Sequence, residues 1–497
     1  MKHIPPGRNN LQFILAAASI MVAPLLPAAA PSGAAPNIIV ILADDVGPGD
    51  AGAYGATKIK TPNIDRLADD GVRFDNAYAS AAVCTPTRYS ILTGQYSWRR
   101  EARGISSGVA NGNSPLLIPT EMKTVQSQLR EHGYRTAVVG KWHLGFGQDK
   151  PDYNGELRPG PLETGFDEFF GIPATNDRIP TVFVRNHRVV GLDPADPIQV
   201  SYDKKEAKRE GLSSWAAGRT RIGWGKGGKA AWWKDEDIAE TLTGEALKFI
   251  ERNKDKPFFL FFTPHDVHAP KIPQQRFAGT SGISERADML LGLDDAIGQI
   301  MRTLDRLGLA ENTLVVYSSD NGAYVNEENG HRPTGELRGI KSTSWEGGTR
   351  VPFVVSWPAR IKPGVCGDLV STIDIPATVV AAAGLDLPRN ALPDSFDLLP
   401  AMLGEKDAPK RGDLILQCGS GHLSVRSGPW KYIPDLALAD GWKSAKKDPA
   451  APARPGLFNL TEDPGEKNNL AAEQPSEVQR LAALLTERQS NPVTRPQ

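Results

Sequence analysis

The stretch PNIIVILADDVG, residues 36–47, decides the fold of this chain. From Ile38 to Ala43 it is apolar without interruption, and Ile and Val dominate. Such a run is typical of a strand that is buried on both faces of a parallel sheet. Asp44 and Asp45 follow directly. The stretch therefore predicts a central strand whose carboxyl end carries two carboxylates.

The same pattern of a strand with polar residues at its end recurs along the chain. Each further apolar run follows a segment with helical periodicity, and together they predict an α/β fold with a large, mostly parallel sheet flanked by helices. Sheets of this kind bind ligands at the carboxyl ends of their strands. The helical segments and the runs that follow them are 124–134 and 135–145, 246–256 and 257–270, and 287–309 and 312–322.

The pattern changes near residue 405. Short strands and turns replace the helix–strand units at 412–418, 422–433 and 456–471, and a helical segment follows at 477–489. This arrangement predicts a smaller C-terminal subdomain made of an antiparallel sheet and a helix. We expect a catalytic domain over residues 35–405 and the subdomain over 406–497.

Residues 150–236 read as a long insertion of irregular structure. Between residues 204 and 234 it holds nine Lys or Arg side chains, interleaved with the tryptophans Trp215, Trp224, Trp232 and Trp233. One interpretation is a solvated loop that is fastened by aromatic side chains. The other is a wall of a substrate cleft, in which tryptophans stack on sugar rings or aryl groups. The sequence leaves both open.

Composition excludes some classes of protein. With 497 residues, 40% hydrophobic and 23% charged, the chain has the make-up of a soluble globular protein with an ample core. A formal net charge of −1 argues against nucleic acid as a partner, because proteins that bind phosphate backbones usually carry a basic excess.

The N-terminus has the pattern of an export signal. Lys2 and Arg8 precede an apolar stretch over residues 11–30, and small residues follow. We expect a signal peptide over 1–34, a mature start near Ala35, and a periplasmic or secreted protein. The alternative is an uncleaved membrane anchor, which Pro24 and Pro27 disfavour because they leave the apolar run short for a span. No stable membrane insertion is expected.

Three cysteines in an exported chain cannot all pair. Cys366 and Cys418 both lie in the C-terminal part and are candidates for a disulfide, which the sequence cannot demonstrate. Cys84 is then left over, inside the stretch AAVCTPTRYSILTG at 81–94.

Oxygen ligands suited to a hard cation follow two of the predicted strands. Asp44 and Asp45 end the first run, and Asp320 and Asn321 end a later one. Three carboxylates and an amide oxygen fit Ca²⁺ or Mg²⁺. Each pair alone reads equally well as a turn. Two such pairs, each at the end of a strand predicted to be buried, favour a metal site over two unrelated turns.

Basic side chains occupy neighbouring strand ends. Lys141 and His143 alternate in GKWHLG, His265 and His268 lie in TPHDVHAP, and Lys341 lies in a Gly-rich loop. Taken together, the histidines at these strand ends favour a functional role. No role is assigned to His265 alone. A divalent cation together with Arg88, Lys141 and Lys341 outweighs the three carboxylates, and the net positive charge suits transfer of a sulfuryl or phosphoryl group.

These motifs resemble the type I sulfatases of the alkaline phosphatase superfamily. CTPTR at 84–88 matches the C-x-P-x-R signature of that family, and YSILTGQY resembles its continuation. The resemblance extends from about residue 36 to about 472, with 150–236 the least matched segment, and overall the chain is similar to arylsulfatase A and N-acetylgalactosamine-6-sulfatase. Further motifs that carry it are NIIVILADDVG, TPNIDRLADDGVRFDNAY, GKWHLG, VHAP, SSDNG, LRGIKSTSWEGGTRVP and LFNLTEDPGEKNNLA.

The resemblance implies a role for each candidate residue. A maturation enzyme oxidises the signature cysteine, here Cys84, to formylglycine, and one hydroxyl of its hydrate attacks sulfur. One Ca²⁺ per chain is implied, held by Asp44, Asp45, Asp320, Asn321 and the modified Cys84. The other implied roles are stabilisation of the hydrate by Arg88 and Lys141, expulsion of sulfate by His143, and sulfate binding with protonation of the departing alcohol by His268 and Lys341.

The sequence thus predicts a sulfuric ester hydrolase that removes sulfate from a sulfated carbohydrate, at chain ends, or from an aryl sulfate. One alternative is a formylglycine-dependent phosphodiesterase or phosphonate monoester hydrolase. A more distant one is a non-catalytic binder of sulfated glycans. Two-zinc phosphatase relatives are disfavoured because they have histidine where Asn321 stands.

Overall fold

The computed structural model describes residues 1–3, 35–103, 108–387, 389–444 and 452–496, with the side chains of 101–103 left out. The signal peptide predicted for residues 1–34 therefore lies outside the described residues, apart from the first three. Within the described ranges, none of the helices has both the length and the apolar character needed to cross a membrane.

Strands and α-helices are interspersed along these ranges. The strands are β1 Asn37–Ala43, β2 Val72–Phe74, β3 Ala77–Tyr78, β4 Arg135–Lys141, β5 Glu168–Ile172, β6 Val184–Arg185, β7 Arg188–Val189, β8 Gln199–Ser201, β9 Ser213–Ala216, β10 Arg219–Lys226, β11 Phe258–Thr263, β12 Thr313–Ser319, β13 Phe353–Ser356, β14 Gly364–Cys366, β15 Val370–Ser371, β16 Asp413–Gln417, β17 Leu423–Ser427, β18 Trp430–Ile433 and β19 Gly456–Asn459. The α-helices are α1 Pro62–Asp69, α2 Cys84–Thr93, α3 Val125–Glu131, α4 Lys204–Arg209, α5 Ile238–Arg252, α6 Glu285–Leu307, α7 Glu346–Thr349, α8 Ile375–Ala382, α9 Leu399–Met402 and α10 Pro475–Ser490.

A ten-stranded sheet forms the centre of the molecule, in the order β14-β2-β13-β12-β1-β11-β4-β5-β6-β7. Its middle strands, from β12 to β5, all run parallel. Antiparallel pairs flank them on both sides, at β12-β13-β2 and at β5-β6-β7. The predicted α/β fold with a large sheet flanked by helices is confirmed, and the sheet is mixed towards its edges.

Strand β1 lies in the middle of this sheet and is buried along its whole length. Ile38, Val40 and Leu42 pack into one core with α2, α3 and α8, while the alternate residues face a second core with α1, α5 and α6. Because successive strand residues point to opposite faces, an unbroken apolar run is what a strand covered on both sides requires. Each such side chain contributes about 1.5–3 kcal/mol through burial.

The insertion at 150–236 is more regular than the sequence suggests, so the expectation of irregular structure is wrong there. Strands β5, β6 and β7 extend the central sheet, and β8, β10 and β9 form a separate three-stranded antiparallel sheet. Several of these strands are short and partly exposed. Strands of this kind lack the continuous apolar runs by which a buried strand is recognised, because their half-exposed positions accept polar residues.

The C-terminal region forms the predicted antiparallel sheet and helix. Strands β16, β17, β18 and β19 pair in sequence order, and α10 packs Leu481 and Leu485 against the same core. Ala81, three residues before Cys84, forms a bridge with Gln417 of β16. The C-terminal sheet thus contacts the chain next to the signature cysteine. The boundaries at residues 34/35 and 405/406 stay predictions.

A buried set of charges, which we name the Lys431 cluster, joins this sheet to α7. It consists of Lys431, Glu346 and Glu466. Lys431 Nζ lies 3.0 Å from Glu346 Oε1 and 3.1 Å from Glu466 Oε1. Glu466 Oε2 also accepts a hydrogen bond from the backbone N–H of Glu346 at 2.7 Å. All three side chains are at most 1% exposed, so each depends on the others for compensation of its charge.

Candidate active site

The carboxyl ends of β1, β4, β11 and β12 meet at one edge of the central sheet, as parallel neighbours must. Asp44 follows β1, Lys141 ends β4, and Asp320 follows β12. Cys84 begins α2, a helix whose ten residues are all buried. The fold therefore gathers residues from four distant parts of the sequence into one buried site.

The oxygen-bearing side chains form a compact group. Asp44, Asp45 and Asp320 each offer a carboxylate oxygen, and these oxygens lie within 4.8 Å of one another. Like charges this close repel, which raises the free energy of the site unless a cation or cationic side chains compensate. The three carboxylates are thus close enough for one ion to contact an oxygen of each.

Three buried oxygens in this group have no hydrogen-bond partner among the described residues: Asp44 Oδ1, Asp320 Oδ1 and Asn321 Oδ1. A buried acceptor without a partner costs about 1–3 kcal/mol. Carboxylate and amide oxygens are the donor set of a hard divalent cation. The residues therefore fit the cation that the sequence predicts.

Asp45 is held in place from two sides. Its Oδ1 lies 2.6 Å from Lys341 Nζ and accepts a hydrogen bond from Asn321 Nδ2 at 2.7 Å. Its backbone adopts the left-handed region with φ of 63°. Such a conformation costs on the order of 1–3 kcal/mol for a residue other than glycine, and it turns the side chain out of the strand direction into the site.

Arg88 lies one helical turn after Cys84 and spans two of the strand ends. Its Nε donates to Asp320 Oδ2 at 2.9 Å, and its Nη1 donates to the carbonyl oxygen of Lys141 at 2.9 Å. Lys141 Nζ in turn donates to Asp44 Oδ2 at 2.6 Å. The two cations each pair with one of the predicted metal ligands and leave the other carboxylate oxygen of that ligand without a partner among the described residues.

The geometry fixes the proton on His143. Its Nε2 lies 2.8 Å from the carbonyl oxygen of Ala110, which can only accept, so Nε2 carries the proton. Nδ1 is buried with no partner among the described residues and keeps its lone pair. Burial and the nearby charge of Lys141 hold the pKa of His143 well below its usual value. The imidazole is therefore neutral.

His268 presents the opposite ring nitrogen. Its Nδ1 lies 2.7 Å from the carbonyl oxygen of Ala269, so that nitrogen carries the proton and Nε2 keeps a lone pair. Burial and Lys341 lower its pKa. Asp44, Cys84 and His268 each offer a ligand atom within 4.8 Å of the others. His265 is also buried, yet it does not line the pocket described next.

The site opens into a pocket of about 230 Å³. Five of the sequence-predicted residues line it: Asp45, Cys84, His143, His268 and Lys341. Arg88, Lys141, Asp44, Asp320 and Asn321 are fully or almost fully buried and support those residues from behind. All the predicted candidates are thus brought together, and His265, to which no role was assigned, is buried beside them without lining the pocket.

Several pocket residues were not predicted from the sequence: Asp177, Arg178, Ile222, Tyr324 and Trp442. Arg178 Nη1 lies 2.7 Å from Asp177 Oδ1 and donates to Thr175 Oγ1 at 2.7 Å. The first three come from the insertion and Trp442 comes from the C-terminal region. Only the dipeptide Asp177-Arg178 offered a sequence signal, and an isolated acid–base pair is too common to single out.

The insertion forms part of the pocket wall through Asp177, Arg178 and Ile222, but not through its tryptophans. None of Trp215, Trp224, Trp232 and Trp233 lines the pocket. Trp233 is buried in one core and Trp232 packs against the other, while Trp215 is 57% exposed elsewhere. The sequence could not distinguish these surroundings, because tryptophan suits a core and a sugar surface equally well.

Asp44 and Asp320, the two carboxylates beside Arg88, have pKa values that are shifted in opposite directions. Burial raises the pKa of Asp44, but Lys141, His268 and Arg88 lower it by more, so this pKa falls below the usual range. Burial and the charge of Asp44 raise the pKa of Asp320 to about 6 despite Arg88 and Lys141. Neither carboxylate has both of its oxygens paired with these cations, because Asp44 Oδ1 and Asp320 Oδ1 have no partner among the described residues.

The three cysteines all lie in described residues and are unpaired. The candidate disulfide between Cys366 and Cys418 is not formed. Cys84 is 2% exposed, and burial raises the pKa of its thiol. A thiol in this state is a weak nucleophile, because the thiolate is the reactive form.

Comparison with known proteins agrees with this geometry. The Sulfatase family model matches residues 36–385. N-acetylgalactosamine-6-O-sulfatase of Bacteroides thetaiotaomicron is 45% identical over 484 residues, covering 90% of this chain and 92% of that protein. Human arylsulfatase A is 34% identical, covering 90% of this chain and 87% of that protein.

Solved structures give the same result. A structure from Bacteroides thetaiotaomicron, from work on the metabolism of multiple glycosaminoglycans, has a TM-score of 0.85 at 45% identity and covers 92% of this chain and 99% of its own. A sulfatase from Pseudoalteromonas has a TM-score of 0.71 at 27% identity, with 92% and 90% covered. The chain therefore belongs to the sulfatase family and is a sulfatase, a hydrolase of sulfate esters.

Proposed function

We propose that this sulfatase removes the 6-O-sulfate from N-acetylgalactosamine at the end of a sulfated saccharide, with a formylglycine made from Cys84. The observation that carries the proposal is the position of Cys84 in the pocket, at the start of α2, with Lys341 and His268 lining the same pocket. The choice of sugar rests on the relative at 45% identity, whose name states that substrate.

A calcium ion would be held by Asp44, Asp45, Asp320, Asn321 and the modified side chain of residue 84. When bound, it supplies a Lewis acid that polarises a sulfate oxygen and offsets developing negative charge. The three partnerless oxygens support this ligand set. Arg88 and Lys141, each paired with one of these carboxylates, keep the ligands oriented and contribute positive charge.

The nucleophile is a hydroxyl of the hydrated aldehyde, and it attacks sulfur as the bond from sulfur to the sugar oxygen breaks. A gem-diol oxygen suits a hard cation, whereas a thiolate does not. His143 faces the site with an unprotonated Nδ1, which suits the removal of a proton from the second hydroxyl when sulfate leaves.

Lys341 and His268 act on the sulfate ester. Lys341 Nζ contacts Asp45 Oδ1 at 2.6 Å. Burial opposes the charge of this lysine, but Asp45 and its neighbours outweigh burial and hold the pKa of Lys341 well above its usual value. A lysine that stays charged binds sulfate oxygens. His268 keeps its Nε2 lone pair free, so it can take up the proton that the attacking hydroxyl loses and pass it to the departing sugar oxygen.

Asp177 and Arg178 would recognise the hydroxyl groups of the sugar. They are partly buried, at 21% and 11% side-chain exposure, and line the same pocket. A carboxylate and a guanidinium side by side offer an acceptor and donors to neighbouring hydroxyls. A sulfated sugar that lacks a matching hydroxyl would displace water from this ion pair without replacing the hydrogen bonds of that water, which is a source of selectivity.

Two further parts of the proposal concern the cell. A formylglycine-generating enzyme acts on Cys84 through the CTPTR motif, and the chain is exported as a periplasmic or secreted protein by its N-terminal signal. Both rest on the sequence motifs.

The direct test is sulfate release from N-acetylgalactosamine 6-sulfate, measured beside the 4-sulfate and beside a bis-aryl phosphodiester. We expect the 6-sulfate to have the highest kcat/KM. Faster turnover of the 4-sulfate would contradict the regiochemistry, and faster turnover of the phosphodiester would favour the diesterase alternative.

A further inference from the structure

Exposed apolar side chains gather at the pocket. Among the described residues seven large hydrophobic side chains are exposed, and three of them line this one pocket: Ile222 at 48%, Tyr324 at 49% and Trp442 at 49%. Single exposed hydrophobic residues are normal on a protein surface. A cluster at the rim of a functional pocket instead indicates a binding surface.

The indole of Trp442 is fixed rather than loose. Its Nε1 donates to the carbonyl oxygen of Gly419 at 2.7 Å, and its backbone N–H donates to Ser342 Oγ at 2.9 Å. Gly419 lets the ring approach closely, since a Cβ at that position would lie 3.0 Å from the indole. A ring that is already held in place loses little entropy when a ligand packs on it.

Both aromatic residues are connected to Lys341. The backbone N–H of Lys341 donates to the carbonyl oxygen of Ala323 at 2.8 Å, and Tyr324 is the next residue. On the other side, Ser342 follows Lys341 and contacts Trp442. The two rings thus lie on either side of Lys341 along these contacts, the lysine that the proposed function assigns to the sulfate oxygens of the bound sugar.

We propose that Trp442 and Tyr324, together with Ile222, form a subsite for the sugar residue next to the sulfated one. The inference rests on the proposed function and deepens it, because it makes an oligosaccharide rather than a free monosaccharide the preferred substrate. A sugar ring offers one face of C–H groups to an aromatic ring and keeps its hydroxyls in water. Half-exposed aromatic residues with a polar handle match that amphipathic surface.

A purely apolar leaving group fits the site less well. Asp177 and Arg178 line the same pocket as a partly exposed ion pair, so a hydrocarbon skeleton that filled it would remove water from both charges without offering hydrogen bonds in return. Hydroxyl groups of a saccharide satisfy these charges while the ring packs on the aromatic side chains.

The test compares N-acetylgalactosamine 6-sulfate with a disaccharide in which this sugar is followed by a second one. In Trp442→Ala we expect kcat/KM to fall about tenfold more for the disaccharide than for the monosaccharide, the equivalent of one lost packing contact of about 1.4 kcal/mol. Trp215→Ala is the matched control, since Trp215 is similarly exposed at 57% and is not among the residues that line the pocket. It should change neither value.

Trp442→Phe keeps an aromatic face and loses the hydrogen bond to Gly419, and it should retain most of the preference for the disaccharide. Equal losses on both sugars in Trp442→Ala would overturn the subsite. A larger loss on 4-methylumbelliferyl sulfate than on the disaccharide would also overturn it and indicate an apolar leaving group.

A binding measurement tests the subsite independently of the proposed function. In a Cys84→Ala background, which has no turnover, calorimetry measures the affinity for the sulfated disaccharide with and without Trp442→Ala. A tenfold weaker affinity supports the subsite whatever the catalytic chemistry, and an unchanged affinity overturns it. Absence of sulfate release by the wild-type protein contradicts only the proposed function.

Discussion

At the scale of single residues, the site is built around carboxylates whose charges are only partly compensated. Asp44 pairs with Lys141 and Asp320 pairs with Arg88, yet each keeps one buried oxygen without a partner among the described residues. The pKa of Asp320 stays raised, to about 6, because burial and Asp44 outweigh its cations. One more positive charge at the shared edge would complete the arrangement.

Replacement of Asp320 by Ala should therefore remove the cation and most of the activity. The loss of one carboxylate ligand and of its charge weakens the site, and elemental analysis of the gel-filtered protein measures the outcome. Asp294→Ala serves as control, because Asp294 is another buried carboxylate, and it accepts from Asn63 and Ile64 rather than belonging to the predicted ligand group. Undiminished calcium in Asp320→Ala would show that the ligands are different ones.

Replacement of Cys84 by Ala should abolish turnover and leave the fold intact, since a small buried side chain is exchanged for a slightly smaller one. The measurement is sulfate release together with circular dichroism. Cys366→Ala is the control, because Cys366 lies on the edge strand β14 away from the pocket. Activity that survives in Cys84→Ala would refute Cys84 as the source of the nucleophile.

At the scale of elements, local sequence patterns predict the buried strands and the acids that follow them. The apolar run before Asp44 and the run before Asp320 could each be recognised alone. The positions of Asp177 and Trp442 could not, because they depend on how the insertion and the C-terminal sheet fold back over the strand ends. Short, half-exposed strands such as β9 and β10 carry no pattern strong enough to predict that.

Close backbone contact between the loop after β12 and helix α7 gives an element-scale prediction. A Cβ on Gly322 would lie 2.0 Å from the carbonyl oxygen of Gly347. Gly322→Ala should therefore lower the free energy of unfolding by about 1–3 kcal/mol through overpacking and displace the neighbouring Asn321. Chemical denaturation measures this loss. Gly364→Ala, where a Cβ meets nothing within 4 Å, should have little effect.

At the scale of the whole molecule, the C-terminal region completes the active site. Gly419 and Trp442 bond to Ser342, Ser344 bonds to Ala439, and the Lys431 cluster ties α7 to the sheet. The loop that carries Lys341 is therefore shaped by residues about a hundred positions later in the chain. Motifs in the sequence identify Lys341, but only the assembled molecule explains its position.

The Lys431 cluster makes stability depend on pH. Burial and the charge of Glu346 raise the pKa of Glu466 to about 7, although Lys431 opposes them. Between its ordinary pKa of 4.5 and 7 the folded state binds a proton that the unfolded state lacks, so this contribution to stability is lost as the pH rises. Glu346, whose pKa is lowered to about 2, has the opposite effect, since its contribution to stability is lost as the pH falls from 4.5 towards 2. That range lies below the one in which Glu466 acts.

Glu466→Gln should remove this dependence. The amide carries no charge at any pH, so the variant should gain stability relative to the wild type as the pH rises from 5 towards 8, by up to about 3 kcal/mol. Urea denaturation at several pH values measures the difference. Glu462→Gln, on an exposed turn, is the control. A difference that does not vary with pH would contradict the raised pKa.

The central claim is that Cys84 is converted to formylglycine, and the mass of the tryptic peptide Phe74 to Arg88, from protein made in its own host, tests it most directly. Oxidation of the thiol to an aldehyde lowers that mass by roughly 18 Da. We expect the lighter peptide, with the peptides that contain Cys366 and Cys418 unchanged as internal controls. An unmodified Cys84 in protein that releases sulfate would contradict the claim.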